Sequence, residues 1–345
     1  MSNTLRRLVL LFGCVALVLA ADNVTTKRGK PGMVDLGHGA KALLWLEPTD
    51  ISSRNLLYGS GGKDHQPQGP FTFIEEDMEG TNPKFDIRDQ SGVKWKVKLG
   101  AEARPEVVAS RFMWAAGYYT NDDYFIEELR VQDLPRQLHR GQNFVGADGA
   151  IHGARLKRSM KGEEKTGAWE WGSNPFKNTR EFNGLRVLMA LMNNWDLKDS
   201  NNAIYQGKDK KGPESLEQIY MVSDLGATFG KTGFTMSHEA SRGNLESYKD
   251  SKFITGRTRD QVDFAAPSRP TLVETFNVPV FVKRIDMRWI GRDIPIADAK
   301  WMGQLLGRLS PDQIRDAFRA AGYSSQDASE FAAVVQGRIA ELNAL

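Results

Sequence analysis

The sequence predicts an α+β fold in two lobes, a small β-rich one followed by a larger, mostly helical one. Three observations carry this. Short alternating runs crowd residues 71–99, helical spacing dominates roughly the last hundred residues, and 345 residues suit two domains or one large bilobal one. Apolar residues make up 40% of the chain and charged residues 26%, so a sizeable core is within reach and wholesale disorder is excluded.

The chain opens with Arg6 and Arg7, an apolar run from Leu8 to Ala20 and then small residues and Asp22. These are the three parts of a secretory signal peptide over residues 1–20, cut after Ala20. The run is shorter than the ~20 apolar residues of a membrane span, so no transmembrane segment is expected in the mature chain. Cys14, the single cysteine, offers a minority alternative, anchoring of the N-terminal segment through the run itself or through lipidation. The mature chain then has no disulfide and is held by its core alone. Without the two arginines it carries 44 basic against 43 acidic residues, a balance that gives no reason for a nucleic-acid partner or an anionic membrane. The expected location is exported, periplasmic or extracellular.

Residues 21–70 read as a polar, glycine-rich leader and an extension whose segment 41–59 has large apolar residues to pack. The first lobe is placed at 71–130. "FTFIEED" and "KFDIRD" read as strands, and "DQSG" as the turn into a third, "VKWKVKLG", with Val93, Trp95, Val97 and Leu99 on one face and Lys94, Lys96 and Lys98 on the other. A helix follows over 105–116, with Pro105 near its start and Gly117 at its end.

The second lobe is placed at 131–345. Its charged tract "RLKRSMKGEEK" (155–165) reads as a solvated loop. A buried helix is predicted over 179–194, capped by Asn178 with Glu181 closing a capping box. Then come the polar turn "NNWDLKDSNN", a two-stranded ribbon from "AIYQ" and "IYMVSD" joined by "GKDKKGPESLE", and further helices. In one of these Ser310, Pro311 and Gln313 make a second capping box. The five histidines are scattered, without metal-ligand spacing.

The polar turn is where chemistry concentrates. Phosphoryl transfer needs a carboxylate for the acceptor hydroxyl, a cation on the donor phosphates and oxygen ligands for Mg²⁺. Asp196 suits the first role, Lys198 can reach the transferred phosphate, and Asn201 can bind metal. "VSDLG" then offers Asp224 as a second metal ligand. The bland alternative is a polar turn closing a helix.

Here the sequence resembles the protein-kinase-like superfamily over roughly residues 70–230. "DLKDSN" matches the catalytic-loop pattern Asp-Leu-Lys-x-x-Asn, and "DLG" resembles the metal-binding Asp-Phe-Gly triplet. "WKVKLG" resembles the strand with the phosphate-binding lysine, and "RPEVVASRFMWAAGY" the helix after it. The resemblance implies a bilobal kinase-like fold, with Lys98 paired to Glu106 at the nucleotide, Asp196 catalytic, and Asn201 and Asp224 on metal. Lys96 stays open as a rival to Lys98, and Glu102 to Glu106. There is no G-x-G-x-x-G loop, only Gly80 in that hairpin. Asn194-Trp195 replaces the usual His-Arg, no Ala-Pro-Glu segment is evident, and the insertion before Asp224 is long. These departures resemble atypical branches such as the toxin-type bacterial kinases and the phosphoinositide-kinase-like enzymes.

The expected function is therefore that of an exported phosphotransferase using ATP or another nucleoside triphosphate with Mg²⁺, acting on an alcohol group of an acceptor that no motif names. The alternative is a pseudokinase, a non-catalytic binding or scaffolding module in the periplasm.

Overall fold

The computed structural model describes residues 30–159, 163–207, 217–230, 242–265 and 287–345. The Leu8–Ala20 run, Cys14, His238 and most of the insertion before Asp224 lie outside the described residues.

In chain order come β1 (Met33–Gly37), β2 (Ala40–Leu43), β3 (Phe71–Asp77), β4 (Lys84–Arg88), β5 (Lys94–Lys98), α1 (Ala103–Ala115), β6 (Asp123–Leu129), β7 (Val131–Gln132), β8 (Ile151–Arg158) and β9 (Glu163–Gly167). After these follow α2 (Arg180–Leu191), β10 (Asn202–Gly207), β11 (Glu217–Val222), α3 (Leu245–Lys249), β12 (Ile254–Arg257), β13 (Gln261–Phe264), β14 (Ile294–Pro295), α4 (Ile296–Leu306), α5 (Pro311–Arg319) and α6 (Ser325–Asn343). The fold is α+β. A curled β lobe with one main helix joins a larger lobe that carries the other helices.

The first lobe is a six-stranded sheet in the order β6-β8-β5-β4-β3-β7. Its edge strands β6 and β7 are separated in the chain by Arg130 alone, so the sheet must roll until its edges approach. The inside holds an apolar core of its own, with Phe85, Ile87, Trp95, Val97, Leu99, Tyr124 and Leu156. The alternation read in β5 thus points its apolar face into the roll. The lysine face is not simply solvated. Lys94 pairs with Asp86 at 2.6 Å and Lys96 with Asp77 at 2.5 Å, while Lys98 is buried.

The sheet that holds β3–β5 also takes β8, beyond residue 130. Two expectations are corrected here. The tract 155–165 is not a solvated loop; it ends β8 and begins β9, and Arg155 and Leu156 are buried. The ribbon β10–β11 is not two-stranded but the centre of a five-stranded sheet, β1-β2-β11-β10-β9, in which β2 runs parallel to β11. The segment read as a leader thereby contributes β1 and the start of β2, and the extension after it completes β2 and packs Leu44, Trp45, Ile51 and Leu56 into the main core.

That core also takes Val107, Val108, Phe112 and Met113 of α1. The helix is thus seated on the second lobe by apolar side chains, with Phe112 6.1 Å from both Phe229 and Phe318 between ring centroids. It ends at Gly117 (φ +90°), where a Cβ would collide with the carbonyl of Leu46. The buried helix α2 is capped not by Asn178 but by Thr179, whose hydroxyl accepts from the Phe182 amide at 3.2 Å. Asn178 takes a left-handed φ of 67° instead, a conformation asparagine tolerates. With the cap moved one residue, Glu181 leaves the position a capping box requires. The Ser310–Gln313 box forms with both of its bonds.

Candidate active site

Two short segments meet between the lobes. The turn after α2 runs from Asn193 to a 3₁₀ turn at Asp199–Asn201. Its backbone is tied to the stretch after β11: Trp195 N–H donates to Ala227 O at 3.2 Å and Phe229 N–H to Met192 O at 2.8 Å. Ser223 and Asp224 N–H both donate to Asn201 O, at 2.8 and 3.1 Å. Inside the turn, Asn194 Oδ1 accepts from Asp196 N–H at 3.0 Å, and the Asn201 amide donates to Asp196 O at 2.6 Å. With its Nδ2 so occupied, Asn201 has only Oδ1 to offer, and that atom has no partner among the described residues.

Lys98 connects this junction to the first lobe. Its Nζ lies 2.8 Å from Glu106 Oε2, 3.1 Å from Asp224 Oδ1 and 3.2 Å from Glu102 Oε2. Lys96, the rival, faces Asp77 and Asp86 instead. The two glutamates are not alternatives, since both reach Lys98. Glu106 is buried and nearer, whereas Glu102 also meets Arg242 at 2.9 Å and the Asn82 amide at 2.6 Å. Gly226 makes this approach possible, because a Cβ there would lie 2.5 Å from Glu102 Cβ.

Burial works against the Lys98 charge, but Glu106 and then Asp224 outweigh it and raise the amine above its usual range. Burial likewise opposes ionisation of Asp224. Lys98 and a 3.3 Å hydrogen bond from Gly226 N–H prevail and hold its carboxyl below the ordinary value. Glu102 goes the other way, pushed up chiefly by burial. The Asp224 side chain stays 44% exposed, and its second oxygen has no partner among the described residues. Asp196, linked to Asn201 through its carbonyl, is half-buried, with Lys198 at 2.9 Å. Lys198 is itself 45% exposed and reaches no described group beyond Asp196.

The arrangement therefore brings Lys98, Glu106, Asn201 and Asp224 into one bonded path, with Asp196 and Lys198 at its end. Sequence reasoning missed Arg155, Asp123 and Arg242. Arg155 sits opposite Lys98 in the β5–β8 register and meets Glu106 Oε1 at 2.8 Å and Asp123 Oδ1 at 3.6 Å. Its signal was available in Arg155-Leu156-Lys157, where polar and apolar residues alternate as in β5. Among the described residues no cluster of three or more His, Cys, Asp or Glu is placed to hold a metal by itself.

No family model matches the chain and no curated protein matches it. Among solved structures it is similar to the crystal structure of a Helicobacter pylori proinflammatory kinase, CtkA, with a TM-score of 0.40 and 11% identity over 79% of this chain and 97% of that one. It is also similar to the crystal structure of the Golgi casein kinase, with a TM-score of 0.33 and 10% identity over 80% of this chain and 73% of that one.

Proposed function

We propose that the protein is a phosphotransferase that moves a phosphoryl group from a nucleoside triphosphate to an alcohol group of an acceptor. One observation supports this most: Lys98 joins Glu106 on α1 to Asp224 of the second lobe, and Asp224 is bonded in turn to Asn201 and, through it, to Asp196. A cation for donor phosphates, two oxygen ligands and a carboxylate for the acceptor thus lie along one path.

The donor set fits Mg²⁺. The uncommitted oxygens of Asp224 and Asn201 are hard ligands from separate segments, and Mg²⁺ is usually completed by water and substrate phosphates rather than by an all-protein cage. When bound, the metal supplies charge neutralisation to the donor phosphates. Lys98 binds the same phosphates, held in orientation by Glu106. Asp196, its backbone fixed by Asn194 and Asn201, orients the acceptor hydroxyl and accepts its proton. Lys198 lies close enough to Asp196 to follow the transferred group.

Export belongs to the same proposal and rests on the Leu8–Ala20 run. Among the described residues no helix is long and apolar enough to cross a membrane. N-terminal sequencing of the native protein is expected to begin near Ala21 or Asp22; an intact Ser2 in the cytosol would refute it.

Calorimetric titration with ATP, with and without Mg²⁺, and ADP production test the chemistry. Wild type binds MgATP. Asp224→Asn loses the metal dependence, while Asp196→Asn keeps binding and loses turnover. Wild type that binds no nucleoside triphosphate refutes the reading. Binding without product formation would make the chain a nucleotide-binding scaffold instead.

A further inference from the structure

Arg155 is buried on β8, directly opposite Lys98 on β5. Two cations at opposed positions on one sheet face repel, and directly opposed like charges destabilise a strand pair. Here they share an acid. Glu106 gives Oε2 to Lys98 and Oε1 to Arg155, each at 2.8 Å, and Arg155 continues to Asp123. The result is an alternating chain, Lys98–Glu106–Arg155–Asp123, carried on β5, α1, β8 and β6. Burying four such charges is costly, and apolar residues of similar volume would commonly hold the same elements together at least as well.

We propose that Arg155 is a positioning residue for nucleotide binding: it takes one oxygen of Glu106, so that Glu106 orients Lys98 without neutralising it. The inference rests on the phosphotransfer reading and adds to it a residue that touches no substrate. A carboxylate shared between two cations attracts each less than it would attract one alone. Glu106 therefore competes less with phosphate oxygens for Lys98, while one Arg155 nitrogen holds Glu106 Oε1 at 2.8 Å. Without Arg155 both Glu106 oxygens turn to Lys98 and draw the ammonium back toward α1.

The test is a double-mutant cycle on MgATP affinity, read by calorimetry. Arg155→Met is combined with Asp123→Asn, so that Asp123 is not left without its cation. This pair is expected to weaken MgATP binding about tenfold in an otherwise native chain, and less than about twofold in a Lys98→Met background, because its effect passes through Lys98. A role confined to stability would weaken binding equally in both backgrounds. That result, or no weakening in the native background, overturns the proposal. If the paired variant lacks a cooperative melt, Arg155→Lys is used instead. It keeps a cation but not the guanidinium contact to Glu106 Oε1, and about a threefold loss is expected that again vanishes with Lys98→Met. Wild type that fails to bind MgATP overturns the phosphotransfer reading itself, a result distinct from an affinity loss that persists without Lys98.

Discussion

The two sides of the junction between the lobes are fastened by opposite means. On the β side, Lys98, Glu106, Arg155 and Asp123 are all buried, and each depends on the charge of its neighbours. On the turn side, the working groups Asp196, Lys198 and Asn201 are half-buried or exposed, and what holds them is backbone: Asn201 O accepts two amides and Asp196 O accepts one side-chain amide. α1 joins the two regimes, with apolar residues in the main core and Glu106 in the ion chain. The contrast teaches that stability and chemistry are concentrated on different sides. The β side cannot lose the Glu106 charge cheaply, whereas the turn can change side chains with little effect on folding.

The largest effect should follow from Glu106→Gln. It leaves Lys98 and Arg155 facing each other in a buried site, and breaking a buried ion pair costs about 3–5 kcal/mol. Urea unfolding should show that loss, while Asp196→Asn on the turn side should change stability by less than about 1 kcal/mol. Equal losses for the two variants would erase the contrast.

Asp123 gives the contrast a pH signature. It pairs with Arg155, stands opposite Lys157 in the β6–β8 register, and feels the charges of Glu106 and Arg111 on α1. Burial, against the pull of Arg155, raises it from 3.8 to about 6. An acid whose folded value lies above its unfolded value binds its proton first in the folded state. Its contribution to stability therefore grows as pH falls from about 6 to about 4, by on the order of 2 kcal/mol. Other carboxylates work in the opposite direction, so the measurement is a difference. Melting of wild type minus Asp123→Asn should rise across that window, and a flat difference would remove Asp123 from the chain.

Gly226, where the two sides touch, should respond next. A Cβ at 2.5 Å from Glu102 Cβ must displace the helix start or the segment after β11, so Gly226→Ala should cost about 1–2 kcal/mol. It should also weaken MgATP binding, since Asp224 lies two residues away. An alanine variant of native stability and affinity would show that the approach of Glu102 is dispensable.

What the sequence revealed follows the range of the interactions involved. Strands β3–β5 were legible because period-two alternation and the "DQSG" turn are local signals. The Ser310 box was legible for the same reason. The α2 cap was missed by one residue, because Asn178 and Thr179 are both good caps and only the backbone conformation chooses between them. β8 was misread because a strand face lined by ions has the composition of a solvated loop. β2 was missed because its partner β11 lies far along the chain, and such a pairing leaves no local trace. At the site, the spacing of Asp196, Lys198, Asn201 and Asp224 marks candidates. The choice between Lys98 and Lys96 depends instead on which acids stand opposite each, and those lie on other strands and on α1.

The smallest effect on folding should come from Lys198→Met, and it is the sharpest probe of the turn. The Asp196–Lys198 pair is partly solvated, and exposed pairs contribute between nothing and about 1 kcal/mol. Melting should therefore shift within the error of replicate scans. Turnover is a different matter, because Lys198 is the one cation among the described residues in contact with Asp196. If the turn works on the acceptor, Lys198→Met should lower ADP production at saturating MgATP and leave MgATP affinity unchanged, the pattern of an interaction made during transfer and not in nucleotide binding. A fall in affinity with unchanged turnover would instead move Lys198 to the donor phosphates, and would place part of the nucleotide site on the turn side of the junction.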